Sequence, residues 1–143
     1  MKKQNTTSSL FPIASLSILL FLIFVVPLAG QGQDAVLNQS ITTAIKATDA
    51  TALASHFDAS VDLSLPDTEG AFSKKQAEQI LKMFFNNNPP KQFTSDHSGS
   101  SGYGASYIIG TYTNTESQKF RVYILIKPKD SIGFIQQLQF EEE

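Results

Sequence analysis

The chain has no cysteine, no tryptophan and only two histidines among its 143 residues. Without cysteine there is no thiol nucleophile and no disulfide framework. A lipid-modified leader is excluded too, because that modification is made on a cysteine at the cut. The histidines, His56 and His97, stand far apart, with no His-x-x-x-His pair and no acidic cluster beside either. They do not make a metal site. Serine is abundant, but none lies in a G-x-S-x-G elbow. The glycine-rich "GSSGYG" at 99–104 lacks the lysine and the following helix that a phosphate loop needs. No cofactor is expected. Positive charge is also scarce: 11 basic residues face 13 acidic ones, for a net charge of −2. The basic residues are scattered rather than striped, so no nucleic-acid partner is expected.

One long apolar run is present, Leu10 to Val26, broken only by Pro12, Ser15 and Ser17. Lys2 and Lys3 precede it, Pro27 stops it, and the small residues Ala29 and Gly30 follow. This is the three-part layout of a secretory signal peptide over residues 1–30, with cleavage at about 29–33. The alternative is a retained anchor, for which 17 residues lie at the short end of the spanning range. Export to the periplasm or the exterior is expected, with membrane contact only through this segment if it stays uncleaved. Removal of Lys2 and Lys3 leaves 9 basic against 13 acidic residues. What remains, 34–143, has the length of one domain with an apolar core of its own.

Within that domain the hydrophobic period changes several times. Residues 34–48 place Val36, Leu37, Ile41, Ala44 and Ile45 on one helical face, with Asp34 as a start signal. Asp49 is placed to cap a second, short helix over about 50–57. Residues 60–66 alternate Val61, Leu63 and Leu65 with polar neighbours, which predicts a half-buried strand, and 67–70 reads as a turn. Ser73 and Gln76 then fit a capping box for a helix carrying Ala77, Ile80, Leu81, Phe84 and Phe85 on one stripe. Asn86-Asn87-Asn88 suits a left-handed cap, and Pro89-Pro90 ends the helix. Strands are predicted over 91–97, 103–113 and 119–128. The closing stretch from Ser131 follows, with Ile132, Phe134, Leu138 and Phe140 on one face and Gln136 breaking the row. Short turns between these strands predict antiparallel pairing, and the helices-first order predicts an α+β domain.

This order resembles the nuclear transport factor 2-like, or cystatin-like, fold. More narrowly, the chain is similar to a family of small exported proteins of unknown function in that superfamily, typical of the Bacteroidota. The residues that carry the likeness are "FSKKQAEQILKMFFNNNPP" at 72–90, "IIGTYT" at 108–113, "FRVYILIK" at 120–127 and "IQQLQFE" at 135–141. The resemblance implies a cone: a strongly bent antiparallel sheet wrapped around N-terminal helices and one long core helix. The quoted segments are packing and turn signatures, so they bring no established substrate. In the superfamily the cone's open end serves variously as an active site, a ligand pocket or a binding surface supported by dimerisation.

Candidate chemistry is sparse. His56 with Asp58 or Asp62 is the one arrangement that offers a general base with a carboxylate beside it. Against that, His56 adjoins an apolar stripe, and Asp58 and Asp62 read as turn and outward strand positions. Tyr103, Tyr107, Tyr112 and Tyr123 all fall on predicted strands, where ordinary sheet packing competes with a cavity lining or a dimer face. Glu141, Glu142 and Glu143 read as a solvated tail. The pattern favours a domain that binds over one that catalyses. The expected role is binding of a small apolar ligand or a protein through the cone cavity or sheet face, with a homodimeric structural or assembly protein of the envelope as the alternative. A cone-fold isomerase, dehydratase or hydrolase is a further option.

Overall fold

The computed structural model describes residues 31–101 and 103–143; the leader expected over 1–30 lies outside them. Helix α1 (Gln31–Lys46) forms where the apolar spacing predicts it and turns Leu37, Ile41, Ala44 and Ile45 inward. Asp34 lies inside its first turn instead of capping it, where it still faces the positive end of the helix dipole. Thr48 then takes a left-handed φ of 51°, and the N–H groups of Thr48 and Asp49 close onto the carbonyls of Ile45 and Ala44. This gives the sharp turn between two helices with almost no loop. Asp49 caps α2 (Ala50–Ala54), accepting from the Ala52 N–H at 2.9 Å. That helix ends before Phe57, because the chain from Phe57 onward is taken up by the sheet.

Six strands follow the order β2-β1-β6-β5-β4-β3. They are β1 (Phe57–Leu65), β2 (Thr68–Ser73), β3 (Pro90–Ser100), β4 (Ser106–Asn114), β5 (Lys119–Lys129) and β6 (Ile132–Glu142), with helix α3 (Lys74–Asn87) between β2 and β3. Two of these depart from the sequence reading. β1 starts earlier than expected, so Asp58 lies in a strand and not in a turn. β2 occupies residues expected to be a turn and a helix entry. Its Glu69-Gly70-Ala71 has little β-propensity, and antiparallel pairing with β1 imposes the extended form. β1 pairs β6 in parallel, so the sheet is antiparallel in its other pairings but not throughout.

Bulges bend this sheet. Leu125 pairs Gln137 while Ile126 pairs Ile135, so Gln136 is an extra residue on β6. The bulge shifts the alternation: Ile135 is buried along with Leu138 and Phe140, whereas Phe134 is half-buried and Ile132 exposed. The row expected through Ile132 and Phe134 is corrected accordingly. A second bulge sits at Asp96 on β3, whose carboxylate accepts from the Thr111 hydroxyl at 2.9 Å.

Helix α3 lies in the concavity. Its capping box is complete: the Ser73 hydroxyl accepts from the Gln76 N–H, and the Gln76 side chain accepts from the Ser73 N–H. Asn88 ends the helix at φ −126°, not in the left-handed form, and both its backbone N–H and its side-chain amide donate to the Phe84 carbonyl. Phe84 and Phe85 meet Tyr112, Phe120 and Phe140 with ring centroids 4.9–6.4 Å apart. These five rings fill the cone interior.

Candidate functional site

Around the aromatic cluster, one cleft opens at each end of the cone. At the end reached by the β4–β5 turn, a cleft of about 410 Å³ lies among Leu65, Ile80, Met83, Asn88, Gln118 and Glu142. Its amides at Asn88 and Gln118 are already committed. Asn114, fully buried, donates to Asn88 and Gln118 and accepts from the N–H groups of Glu116 and Gln118. Gln118 in turn donates to Glu142 at 3.3 Å, and the Tyr112 hydroxyl donates to the Asn88 carbonyl. Burial pushes the Tyr112 phenol up to about 12. This network builds the β4–β5 turn and holds few free groups.

The other end is different. A groove of about 470 Å³ runs between α1 and the β5–β6 turn, with Val36, Leu37, Ile132 and Phe134 along it and Ser40 and His56 on its wall. The backbone of β6 comes close to the helix here: a methyl added to Gly133 would lie 2.7 Å from Cδ2 of Leu37. The missing side chain lets Leu37 seat against the sheet.

His56 belongs to the junction between α2 and β1. Its carbonyl accepts from the Ile135 N–H at 2.7 Å, and its Nε2 lies 2.9 Å from the Ser40 hydroxyl. Burial, with the nearby Lys74 ammonium adding to it, holds its pKa below the usual 6.5. The imidazole is therefore neutral at pH 7. Lys74 itself donates to the Ser55 carbonyl at 3.4 Å.

Asp58 goes elsewhere. Its carboxylate accepts from the Ala59 N–H at 2.7 Å, from Lys129 at 3.1 Å and from Gln136 at 3.4 Å. The Ala59 N–H first, then the Lys129 ammonium, holds its pKa below the usual carboxylate value. Among the described residues no hydrogen bond joins His56 to Asp58, and Asp62 points outward from β1. The structure thus brings His56 to a hydroxyl and Asp58 to an ammonium. A neutral histidine bonded to Ser40 is able to accept a proton, but no carboxylate orients its ring as in a serine-hydrolase triad. Ser40 was not marked by any motif; it sits 16 positions before His56 and only the packing of α1 on the β1 entry joins them. His97 lies exposed on β3, and Tyr103 is exposed in the β3–β4 turn, outside the strand expected for it. Among the described residues no three metal-ligating side chains converge, and no helix is long and apolar enough to cross a membrane.

The helices, the bent six-stranded sheet and their order define a nuclear transport factor 2-like, or cystatin-like, domain. A Nostoc punctiforme protein of unknown function with a cystatin-like fold superposes with a TM-score of 0.61 at 13% identity, over 79% of this chain and 90% of its own. A Streptomyces avermitilis protein of the nuclear transport factor 2-like family gives 0.58 at 14% identity, over 78% and 94%. Residues 38–141 match the model of the domain of unknown function DUF4783, and the chain belongs to that family. A DUF4783 protein from Bacteroides ovatus is similar in structure, with a TM-score of 0.68, 24% identity and coverage of 73% and 93%. No curated protein matches.

Proposed function

We propose that this is an exported, non-enzymatic binding domain that takes a small apolar or amphipathic molecule in the groove between α1 and the β5–β6 turn. The observation that carries this reading is the exposure of Val36 and Ile132 along an open groove, while the cone interior is already filled by its own aromatic rings. Large apolar side chains left facing an open groove favour a ligand that covers them. The Ser40–His56 pair on the wall offers one polar anchor to an otherwise apolar site. The leader read from residues 1–30 fits delivery to the periplasm or beyond.

The test is a thermal melt of the processed protein, recovered from an exporting host, against fatty acids, lysolipids and isoprenoid alcohols. A ligand that binds only the folded state raises the melting temperature by mass action. The shift should vanish in Val36→Ser/Ile132→Ser. A panel that leaves the melting temperature unmoved refutes the groove reading.

A second reading rests on the outer sheet face, where Ile109, Tyr123 and Leu125 are half-buried with no helix over them among the described residues, and Arg121 and Lys127 flank them. Such a mixed face suits a homodimer. Light scattering decides it: a monomer at high micromolar concentration removes this option.

A further inference from the structure

Three of the large apolar side chains that stand in solvent gather at one end of the cone: Val36 at 69% exposure, Tyr103 at 97% and Ile132 at 60%. Val36 and Ile132 line the same groove. Ile132 pairs Lys129 at the tip of the β5–β6 turn. The β3–β4 turn runs alongside, because a methyl added to Gly104 would lie 3.3 Å from Cγ of Pro128, next to Tyr103 in the chain. Met83, also exposed, lies at the opposite end, beside the β4–β5 turn.

Two observations say what covers this end. The first is the path of the chain. The apolar run Leu10–Val26 stops four residues short of Gln31, and Gly32 and Gln33 already line the groove. Five extended residue steps reach at most about 18 Å. Whenever that run sits in a bilayer, in transit or retained, this end of the domain is held against the lipid surface. The second is charge. Lys129 is paired with Asp58, and Asp34 lies on the groove itself. With Lys129 paired, a carboxylate on the groove and apolar tips exposed, the end fits a lipid surface better than an acidic protein or polymer.

We infer that the end of the domain carrying Val36, Tyr103 and Ile132 seats on the surface of a lipid bilayer, with these three side chains in the headgroup region. Tyrosine suits that depth, its ring apolar and its hydroxyl hydrated. Because the three tips are uncharged and Lys129 is already paired, the contact needs no anionic lipid. This seat does not depend on a free ligand in the groove.

The absence of cysteine makes the experiment direct. Single-cysteine variants of the full chain, Val36→Cys, Tyr103→Cys, Ile132→Cys and Met83→Cys, are labelled with a nitroxide and reconstituted into phosphatidylcholine vesicles. Accessibility to oxygen relative to a water-soluble nickel chelate should be several-fold higher at 36, 103 and 132 than at 83. Equal ratios at all four positions overturn the inference. Proximity due to the tether alone is separated by a probe at 36 in the Tyr103→Ser/Ile132→Ser background. The ratio there should fall toward that at 83; an unchanged ratio also overturns it. High salt should leave the ratios unmoved, and their collapse in salt would assign the contact to charge instead. Probes that enter the bilayer while no lipid raises the melting temperature would sink the groove reading and leave this one standing.

Discussion

Replacing Phe84 by alanine tests whether the α3 stripe belongs to the core or to a partner. The ring is 8% exposed and meets Phe140 at 4.9 Å, Phe120 at 5.4 Å and Phe85 at 5.8 Å between centroids. A buried Phe→Ala change removes transfer free energy and leaves a cavity, about 3–5 kcal/mol together. Phe84 also borders the open cleft beside Met83, so water and the flexible Met83 side chain partly refill the space. The lower end of that range, about 3 kcal/mol, is therefore expected. A domain of this length holds roughly 6–15 kcal/mol in all. With a urea slope of about 1.5–2 kcal/mol/M, the midpoint should fall by about 1.5–2 M at unchanged slope. Met83→Ala, one residue away and 66% exposed, should stay within about 0.5 kcal/mol. A loss below about 1 kcal/mol at Phe84, or similar losses at the two positions, would refute the core assignment.

Gly110→Ala should destabilise by about 1–3 kcal/mol, because its methyl would lie 2.4 Å from the Thr94 carbonyl oxygen and 2.8 Å from the Phe93 ring, and backbone cannot step aside; a denaturant midpoint at the wild-type value would contradict it. Thr48→Gly should stabilise by about 0.5–1 kcal/mol. It removes about 1–2 kcal/mol of left-handed strain at φ 51° and adds back part of that as unfolded-chain entropy; a lowered melting temperature would mean the Thr48 side chain matters more than its backbone. His56 titrates below its unfolded value, so the unfolded state binds the extra proton first. Its stabilising term is fully present above pH 6.5 and is lost as pH falls through 6.5 toward the folded pKa. Melts of wild type and His56→Gln should therefore converge as the pH drops through that window, and parallel pH profiles would count against a buried neutral imidazole.

The elements legible in the sequence were those whose signals were local. The α3 stripe ends between a Ser73–Gln76 box and two prolines, and β5 alternates without interruption from Phe120 to Ile126. The parts that differ from the sequence pattern are set by pairing across the sheet. β2 has no pattern of its own and exists because β1 needs a neighbour. The phase of β6 cannot be read by counting in twos, since Gln136 is spent in a bulge. The break at Gln136 was visible as a polar residue in an apolar row, but only the pairing with β5 shows that it moves Ile135 into the core and Phe134 out of it.

The same bulge decides what became of the His56 and Asp58 pair. β1 and β6 lose their regular parallel register between Phe57 and Asp62, on the stretch that faces Gln136. Gln136, freed from the ladder, reaches Asp58, and Lys129 approaches the same carboxylate from β5. Asp58 is thereby held as a cross-strand tie over the bend and cannot orient the imidazole two residues earlier. His56 turns to α1 and meets Ser40. The Ala59 N–H, Lys129 and the extra residue on β6 together separate the two groups that adjacency in sequence placed together. This leaves the histidine as the polar corner of an apolar groove. A variant that removes the bulge, deletion of Gln136, should take that bond from Asp58 and make the β5–β6 ladder regular, with Ile135 still opposite Ile126 and Phe134 still opposite Lys127. Hydrogen exchange at Ile135 and at the β1 amides would then report one continuous ladder. Unchanged protection and an unchanged His56 titration after the deletion would show that the bend arises elsewhere.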